Sequence, residues 1–133
     1  MSFVGARVAV KTSNGEFLSY GGDGALQCVS SCDDSRQDII FNVPMAVTGT
    51  FIQTHTRDLV SVGDTGELGV KLNKEAISNT ELFDFICLGM NRVAIRAHNG
   101  KFLSFKENEN KTLSASSDTI GPNETFEVIV VFR

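Results

Sequence analysis

The stretch Asn14-Gly15-Glu16-Phe17-Leu18-Ser19 returns as Thr56-Arg57-Asp58-Leu59-Val60-Ser61 and again as Asn99-Gly100-Lys101-Phe102-Leu103-Ser104, which sets the serines 42 and 43 residues apart. A period of that length marks a repeat architecture, in which each copy is one supersecondary unit. Working outward, Val10, Ile52 and Ile95 fall into the same register upstream, and Phe41, Phe83 and Phe126 do so downstream. Leu26, Leu68 and Leu113 form a fourth set. The last of these is displaced by two residues because Lys106 to Lys111 lengthens one turn, and the shorter stretch from Leu113 to Phe126 restores the period.

Each copy reads as short strands, with apolar and polar residues alternating between breaks rich in Gly, Asn and Asp. In Arg92-Val93-Ala94-Ile95-Arg96, a period of two sends Val93 and Ile95 to one face and Arg92, Ala94 and Arg96 to the other. The first copy repeats this, with Val8 and Val10 inward and Arg7, Ala9 and Lys11 outward. Asn14-Gly15 and Asn99-Gly100 supply residues that tolerate positive φ, so the chain reverses there. A second reversal is expected at Gly21 to Gly24 and at Gly63 to Gly66. Fourth strands are expected around Ile39 to Val43 and at Phe83-Asp84-Phe85. No segment carries a helical stripe. The expected fold is all-β, one domain over residues 1–133 in three pseudo-symmetric four-strand repeats, roughly 1–46, 47–89 and 90–133. Twelve short strands must hide their edges, and closing the sheet into a barrel removes them.

Composition excludes several classes of function. The 133 residues carry 16 acidic against 12 basic side chains, a net charge of −4, so the general attraction to phosphate backbones on which nucleic-acid binding relies is missing. No apolar run approaches the roughly 20 residues of a membrane-spanning helix. Met1 to Val10 has no signal-peptide pattern, which points to the cytoplasm. Cys28, Cys32 and Cys87, odd in number and unevenly spaced, read as reduced thiols. No metal site is expected, because Cys28 and Cys32 lack a second ligand pair and His55 and His98 lie in different segments. Asp33-Asp34 and Glu107-Asn108-Glu109-Asn110 lack the ligand spacing of a calcium loop and read as solvated acidic segments. Ser19, Ser61 and Ser104 recur with the frame and lack a nucleophile elbow, so they are expected to satisfy backbone groups near the hairpins. No catalytic residue and no cofactor are expected.

The recurring Asn-Gly-x-Phe-Leu-Ser segment, the Gly- or Asp-rich turn after it and the late Phe of each copy resemble the repeats of the fascin-like β-trefoil family, over essentially the whole chain. That resemblance implies a β-trefoil: a six-stranded barrel capped by three hairpins. It also implies a non-enzymatic, cytoskeleton-associated protein whose partner is filamentous actin, and bundling would require two sites or a dimer. A scaffold hosts many functions, so the differences between copies matter more than what they share. Arg7 and Lys11 in the first copy and Arg92 and Arg96 in the third occupy outward places where the second copy has Gly49 and Gln53. With Lys101, they form the expected actin-binding residues, joined in the third copy by Lys106 and Lys111. The alternatives are a carbohydrate-binding module, although the chain has no Trp and one Tyr, or a protease inhibitor presenting the loop from Lys71 to Thr80.

Overall fold

The computed structural model describes residues 7–20, 26–29, 39, 41–43, 45–46, 49–63, 65–71, 79–106 and 112–130. Thirteen strands run through them: β1 (Arg7–Lys11), β2 (Phe17–Tyr20), β3 (Leu26–Val29), β4 (Phe41–Asn42), β5 (Met45–Ala46), β6 (Gly49–Thr50), β7 (Leu59–Val62), β8 (Leu68–Lys71), β9 (Phe83–Gly89), β10 (Arg92–Ala97), β11 (Phe102–Lys106), β12 (Thr112–Ser117) and β13 (Phe126–Val130). Single 3-10 turns at Asn79–Glu81 and Pro122–Glu124 are the helical elements among the described residues. The count exceeds the expected twelve by one. The stretch that is a continuous β9 in the second repeat is divided into β4 and β5 in the first, where Pro44 intervenes in the sequence and has no N–H to give a ladder.

Antiparallel pairing makes a ring. β4 pairs with β1, β1 with β13, β13 with β10, β10 with β9, and β9 with β6. The ring closes where Asn42 and Gln53 exchange two backbone hydrogen bonds, each 2.8 Å. Within each repeat one pairing recurs: Val8 faces Phe41, Thr50 faces Phe83 and Val93 faces Phe126. All three phenylalanines are fully buried, at 0%, 2% and 1% exposure, and Val10, Ile52 and Ile95 join them in one core. Three hairpins, β2–β3, β7–β8 and β11–β12, cover one end, with β3, β8 and β12 touching one another. The fold is an all-β trefoil.

Each hairpin begins at a corner of the same construction. An N–H donates back across three residues from Gly15 to Thr12, from Arg57 to Thr54 and from Gly100 to Ala97, at 2.9–3.0 Å. The residue at that donor position has positive φ in each case: 92° at Gly15, 70° at Arg57 and 80° at Gly100. One such residue per corner suffices, whereas the sequence suggested two. The second repeat's next reversal is also as expected, with the Gly66 N–H bonded to the Gly63 carbonyl. At the cap, the Gly66 carbonyl accepts the Ala115 N–H at 2.7 Å, and a methyl group on Gly66 would lie 2.6 Å from the Ala115 carbonyl oxygen. The reversal at Gly21 to Gly24, Cys32, Asp33-Asp34, Glu107 to Asn110 and Lys111 lie outside the described residues, as does most of the loop from Lys71 to Thr80.

Two expectations need correction. Ala9 and Ala94, read as outward, are both buried. Phe17 and Ile39 close over Ala9 with Val29 and Ile129, making a second apolar layer outside the barrel wall. Strand periodicity assigns a side chain to a face, and it does not say whether another segment crosses that face. Two of the serines, Ser61 and Ser104, bond carboxylates where backbone partners were expected. Ser61 Oγ donates to Glu81 Oε2 at 2.9 Å, and Ser104 Oγ donates to Glu124 Oε2 at 2.6 Å. Both carboxylates are buried, and the Gly121 N–H bonds the other oxygen of Glu124 at 2.7 Å. Ile39 stands at the matching place in the first repeat.

Truncating Phe41, Phe83 or Phe126 to Ala is expected to cost about 3–5 kcal/mol each, read by chemical denaturation. Three variants unfolding together with wild type would show that the register is not what holds the barrel. Arg57→Gly is expected to raise stability by up to about 1 kcal/mol, because relief of a left-handed conformation slightly exceeds the added chain entropy of glycine. A loss of stability at that corner would show that the Arg57 side chain contributes more than its backbone costs.

Candidate functional site

Trefoil closure sets the first and third repeats side by side, so β1, β13 and β10 lie next to one another in the wall. The register places Lys11 opposite Glu127 and Glu127 opposite Arg92, three outward side chains in one row across three strands. Arg92 and Glu127 are exposed and Lys11 is half-buried. Directly opposed side chains on neighbouring antiparallel strands have Cβ atoms about 5 Å apart, which sets this row as cation, anion, cation. Lys11 Nζ also stands 5.9 Å from the centre of the Phe17 ring, near the outer limit of a cation–π contact.

The row borders an open groove of about 680 Å³, whose other walls are the corner from Thr12 to Gly15 and the segment holding Pro122 and Thr125. Buried Thr12 fixes that corner, its hydroxyl accepting the Glu16 N–H at 3.1 Å. A second groove of about 360 Å³ meets the first at Arg92 and is apolar, lined by Cys87, Met90, Val93, Val128 and Val130. Met90, at the tip of the β9–β10 hairpin, is 91% exposed. Cys87 is an exposed free thiol and Cys28 is buried.

The remaining expected cations sit elsewhere. β1 and β10 run in the same direction, each antiparallel to β13, so Arg7 lies four residues to one side of the Lys11–Arg92 level and Arg96 four residues to the other. At roughly 3.4 Å per residue, each is about 14 Å from that level along its strand. Arg7 stands opposite Asn42. Arg96 Nη2 bonds Asp84 Oδ2 at 3.1 Å, and the Lys101 ammonium bonds the Asp118 carboxylate. The side chains of Lys71 and Lys106 are not among those described.

These placements have a symmetry that the sequence does not display. Where one repeat meets the next, Lys11 faces Glu127, Gln53 faces Asn42 and Arg96 faces Asp84. Three equivalent seams thus carry an ion-pair position, an amide pair and an ion pair. Arg92 stands beside Glu127 as Arg7 stands beside Asn42, and the Glu127 row differs in setting an anion between two cations. Among the other titratable groups, His55 lies with its ring 6.2 Å from that of Tyr20, and His98 is exposed on the third repeat's corner. The Glu67 carboxyl, on the second repeat's hairpin, is held below the usual carboxylate range chiefly by a hydrogen bond from the Thr65 hydroxyl. No cluster of three metal-ligating side chains exists among the described residues.

Residues 34–128, most of the chain, match the family model of the fascin domain. The chain belongs to that family. Among solved structures, this fascin-family chain is similar to hisactophilin, a structure described as similar to interleukin-1 beta and fibroblast growth factor, at 22% identity and a TM-score of 0.76, covering 95% of this chain and 99% of that one. It is equally similar in shape to ThreeFoil, a designed three-fold symmetric protein, at 14% identity and a TM-score of 0.76, covering 94% and 99%. At those identities the likeness establishes the trefoil and nothing finer. No curated protein sequence matches the chain.

The Arg96–Asp84 pair leaves both side chains well exposed, at 46% and 63%, so its contribution to folding is small. A double-mutant cycle with Arg96→Gln and Asp84→Asn is expected to give a coupling of about 0.2–1 kcal/mol in chemical denaturation. A larger coupling would mean that Arg96 is committed to the scaffold and withdrawn from any binding face.

Proposed function

We propose that this fascin-family chain is a non-enzymatic, cytoplasmic binding protein that attaches to filamentous actin through the wall formed by β1, β13 and β10. The observation that carries the reading is the pairing of Lys11 and Arg92 across one groove of a fascin-domain trefoil. Arg7, Arg96 and Lys101 extend the face to either side, with Arg96 and Lys101 exchanging their internal carboxylates for those of the filament. Electrostatic complementarity of this kind contributes orientation and association rate more than raw affinity. Bundling follows where a second site or a second copy is supplied. A lectin-like role is less favoured, since the flat aromatic platform of a sugar site would fall to Tyr20 and that ring is buried.

Lys11→Glu with Arg92→Glu is expected to keep the fold and to abolish co-sedimentation with filaments, and wild-type binding is expected to weaken with salt as the screening length falls below about 8 Å. Lys71→Glu with Lys74→Glu alters net charge equally in the second repeat and serves as the control. Equal loss in both variants would assign binding to net charge, and a wild type that stays in the supernatant at low salt would end the actin reading.

A further inference from the structure

We propose that Glu127 is a built-in competitor for the groove between Lys11 and Arg92, and that the groove receives the carboxylates of an acidic peptide segment. The partner's identity rests on the actin reading, but the chemistry rests on the seam itself. Of the three equivalent seams, Gln53 with Asn42 is flanked by Arg7 and holds no anion, and Arg96 with Asp84 pairs one cation with one anion at 3.1 Å. At the third, a single carboxylate stands between two cations on adjacent strands. The row therefore carries one surplus positive charge on a protein whose net charge is −4. It also faces an open groove of about 680 Å³, room for a length of extended peptide.

An incoming carboxylate meets attraction from Lys11 and Arg92 and repulsion from Glu127 at the same place. Affinity is then set by a difference, and specificity by how many carboxylates arrive together. A lone acidic residue gains little over Glu127, which is already in position. A run of acidic residues outcompetes it. The like charge suppresses weakly acidic partners by repulsion, which a purely cationic face would not do.

The test uses fluorescein-labelled deca-glutamate, measured by anisotropy at low ionic strength with the full chain. Wild type is expected to bind it, and Glu127→Gln to bind it roughly three- to tenfold tighter, since the change removes one exposed like charge from beside two cations and each such interaction is individually modest. Lys11→Gln with Arg92→Gln is expected to lose binding. Glu67→Gln makes the same change in net charge from the second repeat's hairpin and is expected to match wild type. Circular dichroism confirms that each variant is folded, and amide shifts report whether the peptide perturbs Thr12 to Gly15 and Arg92. The proposal is overturned if deca-glutamate fails to bind, if Glu127→Gln is no tighter than Glu67→Gln, or if the double variant binds as wild type does. Competition in the filament assay separates the two readings. Peptide binding that responds to Glu127, without filament binding, leaves this inference standing and removes actin, whereas filament binding that excess peptide cannot displace does the reverse.

Discussion

Filling the barrel axis is the constraint on which the rest of this structure depends. A six-stranded ring encloses a space that side chains must fill to the density of a crystal, since voids forfeit dispersion contacts outright. Phe41, Phe83 and Phe126 meet that need from three equivalent strands, each set opposite the first strand of its own repeat. The period of the chain is a consequence, because a residue of that volume must arrive at the same height three times. Hairpin lengths are free to vary as long as that arrival is preserved: β11 and β12 carry one added pair, Lys106 with Thr112, and the two residues this takes are matched by a shorter return from Leu113 to Phe126.

Because the frame is repeated, it was legible in the sequence. Val10, Ile52 and Ile95, the three phenylalanines and the three serines announce it without any knowledge of contacts. What escaped the sequence needed information from far along the chain. Ala9 looks outward by alternation and is buried because Ile39, thirty residues later, lies over it. Ser61 and Ser104 reach carboxylates twenty residues away. A signal for those pairs did exist, since Glu81 and Glu124 each precede the core phenylalanine by two residues and share its period. In the row of Lys11, Glu127 and Arg92 the two cations were legible as outward residues of the first and third copies, and Glu127, which follows its core phenylalanine as Asn42 and Asp84 follow theirs, was missed. That it falls between them is set by cross-strand register, which composition and spacing do not encode.

The division of labour between the seams and the barrel interior follows from the same symmetry. Interior positions are equivalent and interchangeable in kind, so they cannot distinguish one face of the trefoil from another. The seams are equivalent in backbone and free in side chain. There the chain has placed an amide pair flanked by Arg7, a closed ion pair, and a carboxylate between two cations, three electrostatic characters on one geometry. A nearly symmetric scaffold thereby acquires a front and a back at the cost of a few exposed residues, whose identities have little effect on stability.

The pairing of β1 with β13 also governs how the molecule comes into being. Val8 meets Val130 and Val10 meets Val128, so the wall is complete when strands separated by nearly the whole chain have found each other. Loop closure of that span must precede the contacts that reward it, and proteins dominated by such distant pairings assemble in milliseconds to seconds, where helical bundles need microseconds. Until that stave is seated, β10 and β1 are open edges flanking an unfilled core. The wall proposed for binding therefore holds the pairing of greatest sequence separation in the barrel, the one with the largest loop-closure cost.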